Sequence, residues 1–204
     1  MPEGSGHSSA DVAGILLAAG IGRRYDPSGR AFKLLAPVLP GRNLLQVSAG
    51  KLLAATDELL IVHGPRSLQS YPVVAELPAR QFSCLQAGQG MGRSLQSAIS
   101  CSSPRLGWLV ALADMPYISR ATYESLRQAL MLGALLARPV YRGQPGHPVA
   151  LSVSLRPDLM ALRPEEGAGP LFKTYRTRAV QIDVDDAGCV ADVDTPEALA
   201  RFNA

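Results

Sequence analysis

Residues Val12–Ala18 form an unbroken apolar run, and the run ends in Ala19-Gly20-Ile21-Gly22-Arg23-Arg24. A strand with no polar alternation has to be covered on both faces, as in a parallel sheet held between two layers of helices. The small residues after it leave peptide N–H groups open to an anion, and Arg24 with the downstream Lys33 supplies countercharge. This order predicts a buried strand feeding a loop that binds a polyphosphate.

The remainder of the chain alternates in the same way. Strands are predicted at Glu58–His63, Tyr71–Ala75, Trp108–Ala113, Ala134–Tyr141, Pro148–Ser152 and Ala179–Val184. Helical spacing covers Asn43–Ala55, with Asn43 as N-cap, then Gly92–Ser100 and Ser119–Leu132. Shorter helices are predicted at Leu155–Leu162 and Pro170–Tyr175, and Thr195-Pro196-Glu197 opens a last one. Strands alternating with helices give an α/β fold with a mostly parallel central sheet flanked by helices. A chain of 204 residues fits one such domain, expected over residues 13–204. Gly and Pro become dense near residue 140, so residues 140–178 are expected to form a small cap carrying half of a binding site. Residues 1–12, rich in Gly and Ser with no apolar core, are expected to be a disordered leader and not a signal peptide.

Bulk properties narrow the function. The 20 basic residues are scattered, the net charge is only +3 and aromatic residues make up 5% of the chain, so nucleic-acid binding is not expected. Cys84, Cys101 and Cys189 stand far apart without CxxC spacing, which points to reduced thiols in a cytoplasmic protein and to no zinc site. No apolar stretch approaches the roughly 18 residues of a membrane span.

Individual motifs carry the chemistry. Gly20-x-Gly22 is not a dinucleotide fingerprint: Tyr25 replaces the third small residue, and no acidic residue lies between Asp26 and Asp57 to bind a ribose. No G-K-[ST] follows, which excludes a Walker A loop. Asp114 ends an apolar strand, where it either holds Mg²⁺ against a phosphate or caps the following turn. Asp194 either joins it as a second carboxylate or favours the start of the last helix electrostatically. Two carboxylates from distant segments beside a polyphosphate loop suit metal-assisted nucleotidyl transfer. Gly90-Met91-Gly92-Arg93-Ser94 opens a helix, with its N–H groups free for a ligand or its glycines needed only for flexibility. Arg142-Gly143-Gln144-Pro145-Gly146-His147-Pro148 builds a rigid turn that aims one imidazole.

Taken together, Leu17-Ala18-Ala19-Gly20-x-x-x-Arg24, Lys33-Leu34-Leu35, Gly90-Met91-Gly92-x-Ser94-Leu95, Ala113-Asp114-Met115-Pro116, Gly143-x-Pro145-Gly146-His147-Pro148 and Asp192-Val193-Asp194-Thr195-Pro196 occur in one order. In that order they resemble the MobA-like nucleotidyltransferases, most closely the molybdenum cofactor cytidylyltransferase branch, over about residues 13 to 203. The resemblance implies a Rossmann-like nucleotidyltransferase fold and transfer of CMP from CTP to the terminal phosphate of molybdopterin, with pyrophosphate released. Ala19 matches the Leu-Ala-Ala-Gly of CTP users.

By the same resemblance, Leu17, Ala18, Ala19, Gly20, Gly90 and Ser94 bind the nucleotide, and Arg24 and Lys33 hold the triphosphate. Asp114 and Asp194 ligate Mg²⁺, with Arg24, Lys33 and Asp114 as the catalytic set. Gly146 and His147 face the acceptor, and a molybdenum hydroxylase is the expected client. The chain departs from the pattern in three places. Asp26–Phe32 is an apparent insertion, Gly22 replaces a frequent Ser, and Pro164-Glu165-Glu166-Gly167-Ala168-Gly169 differs from G-D-x-G-A-R. The last difference leaves open another phosphorylated acceptor, such as a sugar or methylerythritol phosphate, or a non-catalytic cofactor-delivery protein.

Overall fold

The computed structural model describes residues 11–20, 24–26, 32–64 and 77–203. The strand predicted at Tyr71–Ala75, most of the leader and most of the Asp26–Phe32 insertion lie outside them. The strands are β1 (Val12–Ala18), β2 (Pro37–Leu39), β3 (Arg42–Asn43), β4 (Glu58–His63), β5 (Arg80–Ser83), β6 (Gly107–Leu112), β7 (Leu136–Tyr141), β8 (Gln144–Pro145), β9 (Val149–Ser152) and β10 (Ala179–Asp183). The helices are α1 (Leu44–Leu53), α2 (Met91–Ser100), α3 (Arg120–Met131), α4 (Arg156–Met160), α5 (Gly169–Thr174) and α6 (Pro196–Asn203).

The main sheet runs β10-β7-β9-β6-β1-β4-β5, with β8 attached to β7. β1 is central and pairs in parallel with β4 on one side and β6 on the other. Its side chains alternate between two cores. Val12, Leu16 and Ala18 meet α1 and α3 residues such as Leu45, Leu52, Tyr123 and Leu126. Ala13, Ile15 and Leu17 meet Leu95, Ile99, Leu159 and Phe172 from α2, α4 and α5. Both faces of β1 are therefore dry, which is why its sequence is apolar throughout. Among the described residues, no helix is long and apolar enough to cross a membrane.

Local sequence explains the element ends. Asn43 caps α1 in a reciprocal box: its side chain accepts from Gln46 N at 2.9 Å, and its own N–H donates to Gln46 Oε1 at 3.0 Å. Ser119 caps α3 by accepting from Thr122 N. Thr195 accepts from Ala198 N at the start of α6. Trp108, fully buried on β6, donates to Ser102 Oγ at 2.8 Å, so its one polar atom is satisfied.

The strand predicted at Val12–Ala18 is β1; Val12, counted in the leader as well, is its first residue, and its N–H donates to Asp57 Oδ2 at 2.8 Å. Of residues 140–178, expected to contribute a cap, β9 inserts between β6 and β7 in the main sheet, and α4 and α5 close one of its faces. It pairs there because Val149–Leu151 is wholly apolar and needs two neighbours and two covered faces. β5 was not predicted, since Arg-Gln-Phe-Ser on a half-exposed edge carries no apolar run.

Topology positions the functional end. The chain leaves β1 toward β4 and β5, then returns to β6 on the opposite side of β1, which makes a topological switch point between β1 and β6. Leu17 lies opposite Leu112, so Ala19-Gly20 and Ala113-Asp114 emerge side by side. β9 runs antiparallel to β6, with Val149 opposite Val110. Its leading turn, Gly143–Pro148, therefore lies at the same carboxyl edge.

Candidate active site

The carboxyl edge of β1 and β6 opens into a cleft of about 280 Å³. Leu17, Ala19, Gly20, Lys33, Gly90, Ser94 and Asp114 line it, together with Leu34, Ala87, Met91, Leu112 and Ala113. The Ala18 side chain points into the core on the other face of β1, so of the expected Leu17–Gly20 set it offers only backbone. Leu34, Ala87 and Leu112 were not expected. They are apolar walls, and no polar motif marks them in the sequence.

Asp114, Asp194, Lys33 and Arg24 meet at one place. The buried Lys33 ammonium donates to Asp114 Oδ2 at 2.7 Å and to Asp194 Oδ1 at 2.8 Å. The exposed Arg24 donates to the other Asp194 oxygen, Oδ2, at 2.5 Å. Backbone holds the two acidic segments in register, with Val193 N–H donating to the Asp114 carbonyl at 2.9 Å. α1 steadies the loop from behind: Ser48 Oγ donates to Ala113 O, and Lys51 Nζ donates to Pro116 O and Ile118 O. The Asp194 carboxylate is thus committed to cations, while Thr195 caps α6. Val193, buried against Leu44, Val47 and Leu199, anchors the segment that carries it.

The electrostatics follow from this geometry. Burial works to lower the Lys33 pKa, but the two carboxylates outweigh it and hold the ammonium above its ordinary 10.5. The Lys33 hydrogen bond holds Asp194 below its ordinary 3.8 against partial burial, and Arg24 adds to the effect. The two signs set a stability window. The Lys33 contribution is complete below pH 10.5 and is lost as pH rises through its higher folded value. The Asp194 contribution is present above pH 3.8 and is lost as pH falls through its lower folded value. Urea unfolding of Asp194→Asn across pH should show a shallower loss of stability below pH 3.8 than wild type. Parallel acid limbs in the two proteins would contradict the pairing.

The donor set suits a hard divalent cation. Two carboxylates already face one positive charge, and Mg²⁺ is commonly held by one or two carboxylates plus substrate phosphates and water. Among the described residues no cluster of three or more His, Cys, Asp or Glu is gathered, so a more complete protein cage is not present there. An ammonium has three N–H bonds. Lys33 gives two to the aspartates and lines the cleft, which leaves the third for a phosphate oxygen.

Gly90 shows why its motif needs glycine. Its φ is +134°, and an added Cβ would lie 2.5 Å from Pro164 O and 2.6 Å from Glu165 Cα. The glycine therefore serves the close approach of the 163–166 segment as well as the cleft. Met91 lines both this cleft and a second pocket of about 200 Å³. That pocket is bounded by Arg138, Gly146, His147, Gly167–Gly169 and Phe172.

His147 is half-buried in this second pocket, and its Nδ1 has no partner among the described residues. Burial pushes its pKa below 6.5 against the pull of Asp114 and a bond to the Val110 backbone, so the ring is neutral near pH 7. Gly146 sets its position: His147 N–H donates to Cys189 O at 2.8 Å, and a Cβ on Gly146 would lie 2.9 Å from Cys189 Sγ. Gly146→Ala should cost about 1–3 kcal/mol in urea unfolding, as overpacking does elsewhere. An unchanged midpoint would show that the turn can move aside.

A family model, the MobA-like NTP transferase domain, matches residues 14–180. The chain belongs to this family. Among solved structures, Rv0371c from Mycobacterium tuberculosis H37Rv superposes with a TM-score of 0.81 at 23% identity, over 97% of this chain and 100% of that one. A further structure of Rv0371c is described as a complex with manganese, at 24% identity, a TM-score of 0.76 and coverage of 94% and 97%. The Rv0371c homolog from Mycobacterium sp. strain JC1 is 27% identical, with a TM-score of 0.75 and coverage of 95% and 97%. Mth528 from Methanothermobacter, described as a nucleotidyl transferase, is 19% identical, with a TM-score of 0.80 and coverage of 94% and 95%. No curated protein sequence matches significantly. As a MobA-like NTP transferase the chain has the fold expected from its sequence, and its cleft stands at the switch point where such sheets bind ligands.

Proposed function

We propose that this MobA-like transferase moves CMP from CTP to the terminal phosphate of molybdopterin and releases pyrophosphate. The observation that carries the reading is the meeting of Lys33, Asp114 and Asp194 through one ammonium at the cleft. Segments remote in sequence gather a cation and two carboxylates at one end of the cleft, which supports binding of a triphosphate with its metal. The descriptions of Mth528 as a nucleotidyl transferase and of Rv0371c with manganese support nucleotide and divalent-ion chemistry. Ala19 and the Gly143–Pro148 turn favour cytidine and molybdopterin by their resemblance to that branch.

In the mechanism, an acceptor phosphate oxygen attacks the α-phosphorus in line. The new P–O bond forms as the bond from the α-phosphorus to the bridging oxygen breaks, and pyrophosphate leaves with that electron pair. The attacking phosphate is already ionised near neutral pH, so no general base is needed. Mg²⁺ bound by Asp114 and Asp194 would neutralise charge on the α-phosphate. Lys33 and Arg24 stabilise the departing pyrophosphate. Leu17, Leu34 and Leu112 supply apolar walls to the cleft. Catalysis is positioning plus fixed charge.

The test is pyrophosphate release with CTP, GTP and ATP, each with and without molybdopterin. Turnover with CTP that requires the acceptor is expected. Preference for GTP or ATP would overturn the base. Nucleotide binding without turnover would leave a cofactor-delivery protein.

A further inference from the structure

The second pocket contains a cation without a counter-ion. Arg138 sits on β7 and lines the pocket with Gly146, His147, Gly167–Gly169 and Phe172. Its Nε is fully buried and has no hydrogen-bond partner among the described residues. Its guanidinium carbon lies 4.8 Å from the centroid of the Phe172 ring, an aromatic face and not an acid. No carboxylate forms a salt bridge with it among the described residues, although Arg80, Arg105, Arg120, Arg127 and Arg163 each have one. A half-buried guanidinium without an anion is costly to keep, because its Nε–H loses water and gains no acceptor.

The surroundings explain what such a residue is for. The guanidinium lies over the Phe172 ring, a cation–π contact that holds it at the pocket wall. Gly167, Ala168 and Gly169 form the facing wall and contribute no charge of their own. His147 lines the same pocket, and its Nδ1 is also buried and unpartnered among the described residues. The pocket therefore offers a guanidinium for an oxyanion and one unpartnered imidazole nitrogen beside it. Met91 lines both this pocket and the first cleft, so the two are neighbours across one side chain.

We propose that Arg138 is the anion-recognising residue of the acceptor pocket, taking a phosphate or carboxylate oxyanion of the acceptor in its guanidinium fork. Naming the pocket as the acceptor's rests on the nucleotidyl-transfer reading. Arg138 thereby selects acceptors that are anionic, with a polar group beside the anion for His147.

The experiment uses the full chain with the first cleft filled by Mg²⁺ and a CTP analogue bearing a methylene between the α- and β-phosphates. Inorganic phosphate and acetate are then titrated separately while the thermal unfolding midpoint is followed. The proteins are wild type, Arg138→Met, which keeps an apolar stem over Phe172, and Arg138→Lys, which keeps the charge without the fork. Wild type should be stabilised by at least one of the two anions, and which of them acts identifies the oxyanion. Arg138→Met should raise the half-saturating concentration by about tenfold or more, with Arg138→Lys in between. Analogue binding should be the same in all three. An equal anion response in wild type and both variants, or none in wild type, overturns the proposal. If wild type does not bind the analogue, the nucleotide reading fails. The anion titrations, repeated without nucleotide, still decide the role of Arg138.

Discussion

Asp114→Asn should lower kcat for nucleotidyl transfer by about a hundred- to a thousandfold while leaving the fold intact, as loss of a fixed-charge group at a reacting centre does elsewhere. The substitution keeps the shape of the side chain and removes one of the two carboxylates that face Lys33. The structural cost is small for identifiable reasons. The Asp114 side chain is 24% exposed, and the Lys33 ammonium keeps Asp194 as its partner when Asp114 loses its charge. The loop itself is held by the Asp114 carbonyl, which accepts from Val193 N–H, and by Lys51 below it, and neither contact uses the carboxylate. Steady-state kinetics with circular dichroism reads both halves. Activity near that of wild type would remove Asp114 from the chemistry. A collapsed spectrum would make it a structural residue.

Lys33→Met should have the second large effect, on stability and substrate binding together. Without the ammonium, two carboxylates are left close to each other, with only the exposed Arg24 to offset them. Carboxylates this close repel by roughly 3 kcal/mol at an effective dielectric near 20. For a chain of this size that corresponds to a fall in Tm of about 6–12 °C in metal-free buffer. The same pair is then freer to bind a cation, so millimolar Mg²⁺ should restore much of the loss and stabilise the variant more than wild type. KM for the nucleotide should rise at least about tenfold, since a charge-assisted bond to phosphate is lost. A variant whose Tm ignores Mg²⁺, with KM unchanged, would show that Lys33 only balances charge.

Much of this was legible because burial and chemistry leave different marks on a sequence. β1 is dry on both faces, so its apolar run announced a sandwiched sheet. Asn43 and Thr195 cap helices by side-chain bonds that their residue types advertise. Asp114 and Asp194 stood out because each interrupts or follows apolar sequence at an element end. What failed to show were features fixed by partners far away in the chain. β5 is a polar edge strand that forms only because β4 offers its backbone. β9 joins the sheet between two strands already in place, a placement that the Gly and Pro density before it does not reveal. The role of Gly90 depends on residues 163–166 packing against it, and no local pattern contains that information. Arg138 carries no motif at all. Its meaning comes from the lack of a counter-ion among the described residues around its pocket.

Manganese binding followed by electron paramagnetic resonance tests the central claim, that Asp114 and Asp194 together hold the metal of a bound nucleotide. In the presence of CTP, wild type should bind Mn²⁺ in a single protein-bound signal. Asp114→Asn and Asp194→Asn should each weaken that binding by an order of magnitude or more, to a similar extent. Undiminished Mn²⁺ affinity in either variant would contradict a shared ion and separate the two carboxylates in function.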